Sequence, residues 1–201
     1  MPPKVEDGTE PMPKTLVALT LAVAALAAPA LAQTPRTGPT VVTSPQPLPI
    51  DAPRPRVFLG GSIDMGGAPD WQAAMTSALS DMDVTILNPR RPDWNPDWRP
   101  EADEPEFRRQ VEWELAALES ADVIVMYFAP GTQSPISLLE MGLHARGGKL
   151  VVLAPEGFWR KGNVDITAQA YGVRQVRTMA ELTAAVRERL AKAATEGRFA
   201  R

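Results

Sequence analysis

Glu140 is the first residue in this sequence to need a chemical explanation. It sits among Leu138, Leu139 and Met141, with Gly142 beside it. A carboxylate among apolar neighbours is costly to bury unless it is paired or put to use. The plainer alternative places it on a polar helix stripe with Ser137 and His144. Glu114 is the second such residue. Gln110 stands four positions before it, so on a helix the two share a face. Glu112 and Glu119 read as solvated, and Asp122 as a turn or cap residue. His144 is within one turn of Glu140 and reads as structural or surface.

Three further clusters carry polar chemistry. Gly60-Gly61-Ser62-Ile63-Asp64 follows an apolar run. Its glycines let backbone N–H groups approach a ligand, or simply make a tight strand-to-helix turn. The spacing is neither G-x-G-x-x-G nor a P-loop, so it supports no dinucleotide or triphosphate. Asn88-Pro89-Arg90-Arg91, followed by Trp94 and Trp98, offers guanidinium groups for a phosphate or carboxylate and indoles for stacking. The alternative is a surface loop with salt bridges. Ser134 precedes Pro135, a helix-opening pair with serine as N-cap and proline at N1.

Composition narrows the chemistry. The 201 residues contain no cysteine and one histidine. That excludes disulfide scaffolds, zinc–thiolate sites and cysteine nucleophiles, and it argues against a Ser-His-Asp triad. A net charge of −3 gives no electrostatic case for nucleic-acid binding. No metal or organic cofactor is implied.

Strands and helices alternate so as to position these residues. Val57–Leu59 reads as a buried strand. Trp71, Met75 and Leu79 mark a helix ending near Ser80. Val84–Leu87 is a second strand, stopped by Asn88-Pro89. A long loop, 90–105, leads into a helix opened by Asp103 and Glu106 and ending near Ser120. Val123–Phe128 is a third strand, and the helix after Ser134 ends at Gly147-Gly148. Leu150–Leu153 is a fourth strand, Val164–Tyr171 a short helix and Val173–Val176 a weak fifth strand. Thr178 and Glu181 form a capping box for a last helix to about Ala193. The pattern predicts one α/β domain over 56–193, with a tail at 194–201. The domain is a flavodoxin-like, doubly wound, five-stranded parallel sheet whose ligands sit at the carboxyl ends of the strands.

The N-terminal quarter differs in composition. It holds twelve of the 21 prolines, all within residues 1–55. Lys14, the uncharged stretch Thr15–Ala32 and the ending Ala30-Leu31-Ala32 describe a secretory signal peptide cleaved after Ala32. The stretch is too short, alanine-diluted and proline-broken for a spanning helix. Met12-Pro13-Lys14 makes a more usual basic opening than the acidic stretch Glu6–Glu10, so Met12 is a candidate true start of that leader. An exported location follows, or a cytoplasmic one if the start is over-extended. Residues 33–55 read as an extended proline-rich linker.

Together these residues resemble the nucleoside 2-deoxyribosyltransferase superfamily. The resemblance is carried by Val57-Phe58-Leu59-Gly60-Gly61-Ser62-Ile63, by Trp113-Glu114, by Ala121-Asp122-Val123-Ile124-Val125, and by Ser134 with Leu139-Glu140-Met141-Gly142. Asn88-Pro89-Arg90-Arg91 and the run from Pro155 to Asn163 look like its "nucleoside 2-deoxyribosyltransferase-like" branch. The resemblance implies cleavage of an N-glycosidic bond, with Glu140 as nucleophile, Glu114 helping to hold substrate, and Gly61 and Ser62 in the turn that closes over it. It also implies a nucleoside or nucleotide partner and a homo-oligomer. Ser134 stands where the transferases commonly have an aspartate and the monophosphate hydrolases a serine. Asp64 stands where those hydrolases have an arginine. Transfer and hydrolysis therefore both remain open, as does a non-catalytic module that binds the same ligands.

Overall fold

The computed structural model describes residues 38–63 and 67–196. The expected leader, the first part of the linker and Asp64 lie outside the described residues. In chain order the elements are β1 (Thr40–Thr43), β2 (Arg56–Gly61), α1 (Trp71–Ala78), β3 (Thr85–Asn88), α2 (Pro105–Ser120), β4 (Val123–Tyr127), α3 (Pro135–His144), β5 (Leu150–Leu153), α4 (Lys161–Tyr171), β6 (Arg174–Val176) and α5 (Met179–Thr195).

The strands form one parallel sheet in the order β1-β3-β2-β4-β5-β6. Without β1 this is the flavodoxin order, with its switch point between β2 and β4. The sheet has six strands rather than the five expected. The addition is β1, which pairs with β3 from Thr40↔Thr85 to Thr43↔Asn88. Part of the stretch expected to be linker is thus the edge of the sheet. Thr-Val-Val-Thr is a short β-branched run, and pairing lets it bury Val42.

Side-chain alternation divides the core in two. Phe58, Ile124, Met126 and Val152 point to the layer made by α2, α3 and α4. Val57, Leu59, Val125, Val151 and Leu153 point to α1 and α5. Helix caps fix the entries. Asp70 accepts from the Ala73 N–H at 3.0 Å, and Thr178 accepts from the Glu181 N–H at 3.1 Å. The Asp103 signal is displaced: α2 starts at Pro105 with Glu104 as an N-cap that makes no side-chain bond, and Asp103 pairs with Arg99.

The amino-terminal edge of the sheet is held by a buried charge. Arg56 is 2% exposed. Its Nε donates to Ser120 O at 2.8 Å, its Nη1 to Ile50 O at 2.5 Å, and its backbone N–H to Asp122 Oδ2 at 2.8 Å. Asp122 is therefore a turn residue at the edge away from the site, and burial pushes its carboxyl up to about 6.

Candidate active site

The site begins where β2 and β4 run out side by side. Gly61 has φ +133°, and a Cβ there would lie 2.2 Å from Tyr127 O. Only glycine lets β2 lie this close to β4. Here the glycine serves strand packing, a role that neither of its sequence-based alternatives named. The close approach also fixes Ser62 in the crevice. Its N–H donates to Tyr127 O at 2.8 Å, and its Oγ accepts from the Ala129 N–H at 2.8 Å.

Around that hydroxyl stand two more. Ser62 Oγ is 2.8 Å from Thr132 Oγ1 and 2.6 Å from Ser134 Oγ, and the last two are 3.0 Å apart. Thr132 also donates to Ala129 O at 2.9 Å. Ser134 occupies the N-cap position of α3, as expected, but its side chain makes no capping bond. It adopts the left-handed conformation, φ 47° and ψ 50°, which costs a non-glycine residue about 1–2 kcal/mol. The strain turns the hydroxyl toward Ser62 and leaves the first turn of α3 without a side-chain cap, an arrangement suited to an anion.

The carboxyl groups come from the two helices that flank this crevice. Glu140 on α3 is 7% exposed, so the polar-stripe alternative does not hold. Burial is the main cause that pushes its carboxyl up to about 8, and the Glu114 carboxyl on α2 adds to the push. Glu140 makes no hydrogen bond to another described residue. Glu114 is also pushed up by burial, against a hydrogen bond from Gln110 that lowers it. Gln110 Nε2 donates to Glu114 Oε1 at 2.8 Å and to Pro89 O at 3.0 Å. With Glu140 raised this far, the pair does not carry two full charges near neutral pH.

The end of β3 is more committed to structure. Asn88 Oδ1 accepts from the Arg90 N–H at 3.0 Å, closing an Asx turn. Arg91 forms a two-pronged pair with Asp93 at 2.8 Å, and its guanidinium lies 4.9 Å from the Trp98 ring centroid. Trp94 packs edge-on against Trp98. Arg91 and the two indoles are thus engaged with their own loop. Arg90 is less engaged. Its Nε lies 3.9 Å from Asp70 Oδ2, and its Nη1 lies 3.5 Å from Oε1 of the fully buried Gln72. Gln72 Nε2 has no hydrogen-bond partner among the described residues.

Hydrogen bonds join Ser62 to Ser134, Gln110 bonds Glu114, and the Glu114 carboxyl acts on Glu140; Gly60 and Gly61 pair with Met126 and Tyr127 of β4. Asn88 and Arg90 adjoin Gln110 through Pro89. Thr132 and Gln72 escaped the sequence reading. A threonine in a loop and a glutamine on a helix carry no spacing signal, and their contacts to Ser62 and Arg90 lie 70 and 18 positions away.

A family model described as nucleoside 2-deoxyribosyltransferase like matches residues 54–158. No curated protein matches the sequence. The fold is similar to that of a solved crystal structure of a conserved protein from Enterococcus faecalis V583, with a TM-score of 0.51 and 14% identity over 68% of this chain and 99% of that one. At that identity the likeness extends to fold alone.

Proposed function

This chain belongs to the nucleoside 2-deoxyribosyltransferase-like family, and from that premise we propose that it cleaves the N-glycosidic bond of a deoxynucleoside through a sugar ester on Glu140. A Glu140 oxygen attacks the anomeric carbon. The bond from that carbon to the base nitrogen breaks, its electron pair leaves with the base, and the base takes up a proton. A nitrogen of a second base then attacks the same carbon, gives up its proton to solvent and releases the carboxylate. Two displacements retain configuration, as in retaining glycosidases. Glu114, oriented by Gln110, holds the sugar hydroxyls. The observation that carries this reading is a buried carboxyl at the switch-point crevice with a second carboxyl pressing on it and no hydrogen-bond partner among the described residues. Structural carboxylates are paired; this one is kept ready.

A second reading, hydrolysis of a nucleoside 5'-monophosphate, draws on the three-hydroxyl cluster and the uncapped start of α3. Water then replaces the second base. Self-association is a separate part of the proposal, common to both readings. Ile136, Leu139 and Leu143 form an exposed stripe on α3 beside Glu140, and Leu115 is exposed beside Glu114. A dimer or larger assembly by analytical ultracentrifugation supports it, and a monomer at micromolar concentration removes it. Export rests on the leader pattern alone, and N-terminal sequencing of the mature protein tests it.

The deciding experiment incubates the full chain with deoxynucleosides, ribonucleosides and their monophosphates. Free base is followed by chromatography and the protein by intact mass. Base release with a sugar adduct mapped to Glu140 supports the mechanism. A second base in the same tube separates transfer from hydrolysis. Ligand binding without base release or adduct favours a non-catalytic module.

A further inference from the structure

The segment that follows β1 reaches across α2 and touches the site. Ser44 is buried, and its Oγ donates to Gln110 Oε1 at 2.6 Å. Two residues on, Gln46 O accepts from the Trp113 indole N–H at 2.7 Å. Ile50 O accepts from the buried Arg56 guanidinium. With the β1–β3 ladder, the stretch 40–50 is held at several points by the domain, and it precedes the first residue of the family match at 54.

Gln110 is 5% exposed, so each of its polar atoms needs a partner. Its two amide hydrogens go to Pro89 O and Glu114 Oε1, and its oxygen accepts from Ser44. A flipped amide would set its oxygen against two acceptors. It would also turn an NH2 group toward the Ser44 hydroxyl, which then donates to nothing here. We propose that Ser44 is a positioning residue for the site: it holds the Gln110 amide in the orientation that donates to Glu114, and so makes a segment outside the family match part of the catalytic apparatus. The inference takes its functional meaning from the reading of Glu114 given above. Its physical content, the hydrogen-bond relay, stands apart from any substrate.

The test is a carbon-13 NMR titration of the glutamate side-chain carboxyls in the full chain. The groups facing Glu114 are Gln110 on its own helix and Glu140 from α3. Loss of the Gln110 bond removes the influence that lowers Glu114, so Ser44→Ala moves its titration to higher pH. Ser44→Thr keeps the hydroxyl and restores it. Trp113→Phe removes the other strap-to-α2 side-chain bond without touching Gln110, and leaves Glu114 where it was. Ser44→Cys serves if the alanine variant does not fold, and shifts in the same direction. An unmoved Glu114 in Ser44→Ala overturns the proposal, as does an equal shift in Trp113→Phe, which marks general loosening. Where base release is measurable, Ser44→Ala lowers kcat roughly ten- to a hundredfold, the scale of a small misplacement. If no nucleoside is turned over yet the titration moves as described, the functional reading fails and the relay survives.

Discussion

The sheet buries an ionisable side chain at each of its edges and treats the two in opposite ways. At the amino edge, Arg56 has two carbonyls for its guanidinium, and its backbone N–H reaches Asp122. At the carboxyl edge, Glu140 faces another carboxyl and makes no hydrogen bond to a described residue. Both side chains are more than nine-tenths buried. Desolvation costs each of them, but only the arginine recovers that cost within the folded chain. The difference teaches how to sort buried charges. A satisfied one holds elements together, and an unsatisfied one awaits a partner that is not part of the chain.

Glu140→Gln tests that contrast most severely. It removes the attacking oxygen's charge and should lower base release by roughly 10⁴-fold or more. It should also stabilise the fold above neutral pH. The sign follows from the raised carboxyl. The unfolded group titrates near 4.5 and the folded one at about 8. Between those values the folded state holds more protons, so stability falls as pH rises from about 4.5 through about 8. Glutamine has no such dependence. Its unfolding free energy should exceed the wild type's at pH 9 by an amount on the order of a few kcal/mol, and approach it at pH 4.5. A shallower slope persists, because Glu114 and Asp122 are raised in the same direction. A variant less stable than wild type at pH 9 means that Glu140 is a paired structural group.

Arg56→Ala is the opposing case. It leaves Ser120 O and Ile50 O without a donor and empties a large buried volume. About 3–5 kcal/mol should be lost in chemical denaturation. Turnover per folded molecule should be kept, because Arg56 lies at the far edge from the crevice. A large loss of turnover with stability intact would break the contrast from this side.

The pH–rate profile sharpens the assignment of Glu140 itself. A nucleophile must be ionised, so kcat/KM should climb with pH and level off above about 8. A profile that falls through the same value instead makes Glu140 the proton donor to the leaving base. Glu114, whose Gln110 bond favours its charge, would then be the carboxylate left to attack the sugar.

These contrasts were unevenly legible in the sequence. Runs such as Val57–Leu59 and Val123–Val125 carry their own hydrophobic signal, so the order of strands and helices could be read directly. Glu140 stood out because its neighbours are apolar, and Gln110 with Glu114 because helical spacing puts them on one face. What escaped detection depends on distant partners. Ser44 acts on a residue 66 positions away, and Thr132 and Ser62 meet across 70. The strap between 40 and 50 looked like linker because proline-rich chain repays its ordering only when something lies beneath it. Arg91, Trp94 and Trp98 left two alternatives open, ligand contact or a salt-bridged loop, and their ring and ion-pair contacts lie within their own loop.

Ser134 gives the smallest effect and brings the contrast down to one backbone torsion. Its left-handed conformation has no signature in a Ser-Pro pair, and glycine would adopt it without strain. If the conformation served only the turn, Ser134→Gly would be a simple improvement. Relief of strain should stabilise the fold by about 1 kcal/mol, offset in part by lost bonds to Ser62 and Thr132. The net change in stability should therefore lie within about 1 kcal/mol of zero. The hydroxyl is what the strain positions, so its loss should appear in KM rather than in stability. A raised KM for monophosphates alone assigns the cluster to the phosphate. An equal rise for nucleosides assigns it to the sugar or base. Unchanged kinetics in a more stable variant would make the three hydroxyls a packing motif, and would leave the carboxyl pair as the one part of this edge held ready for chemistry.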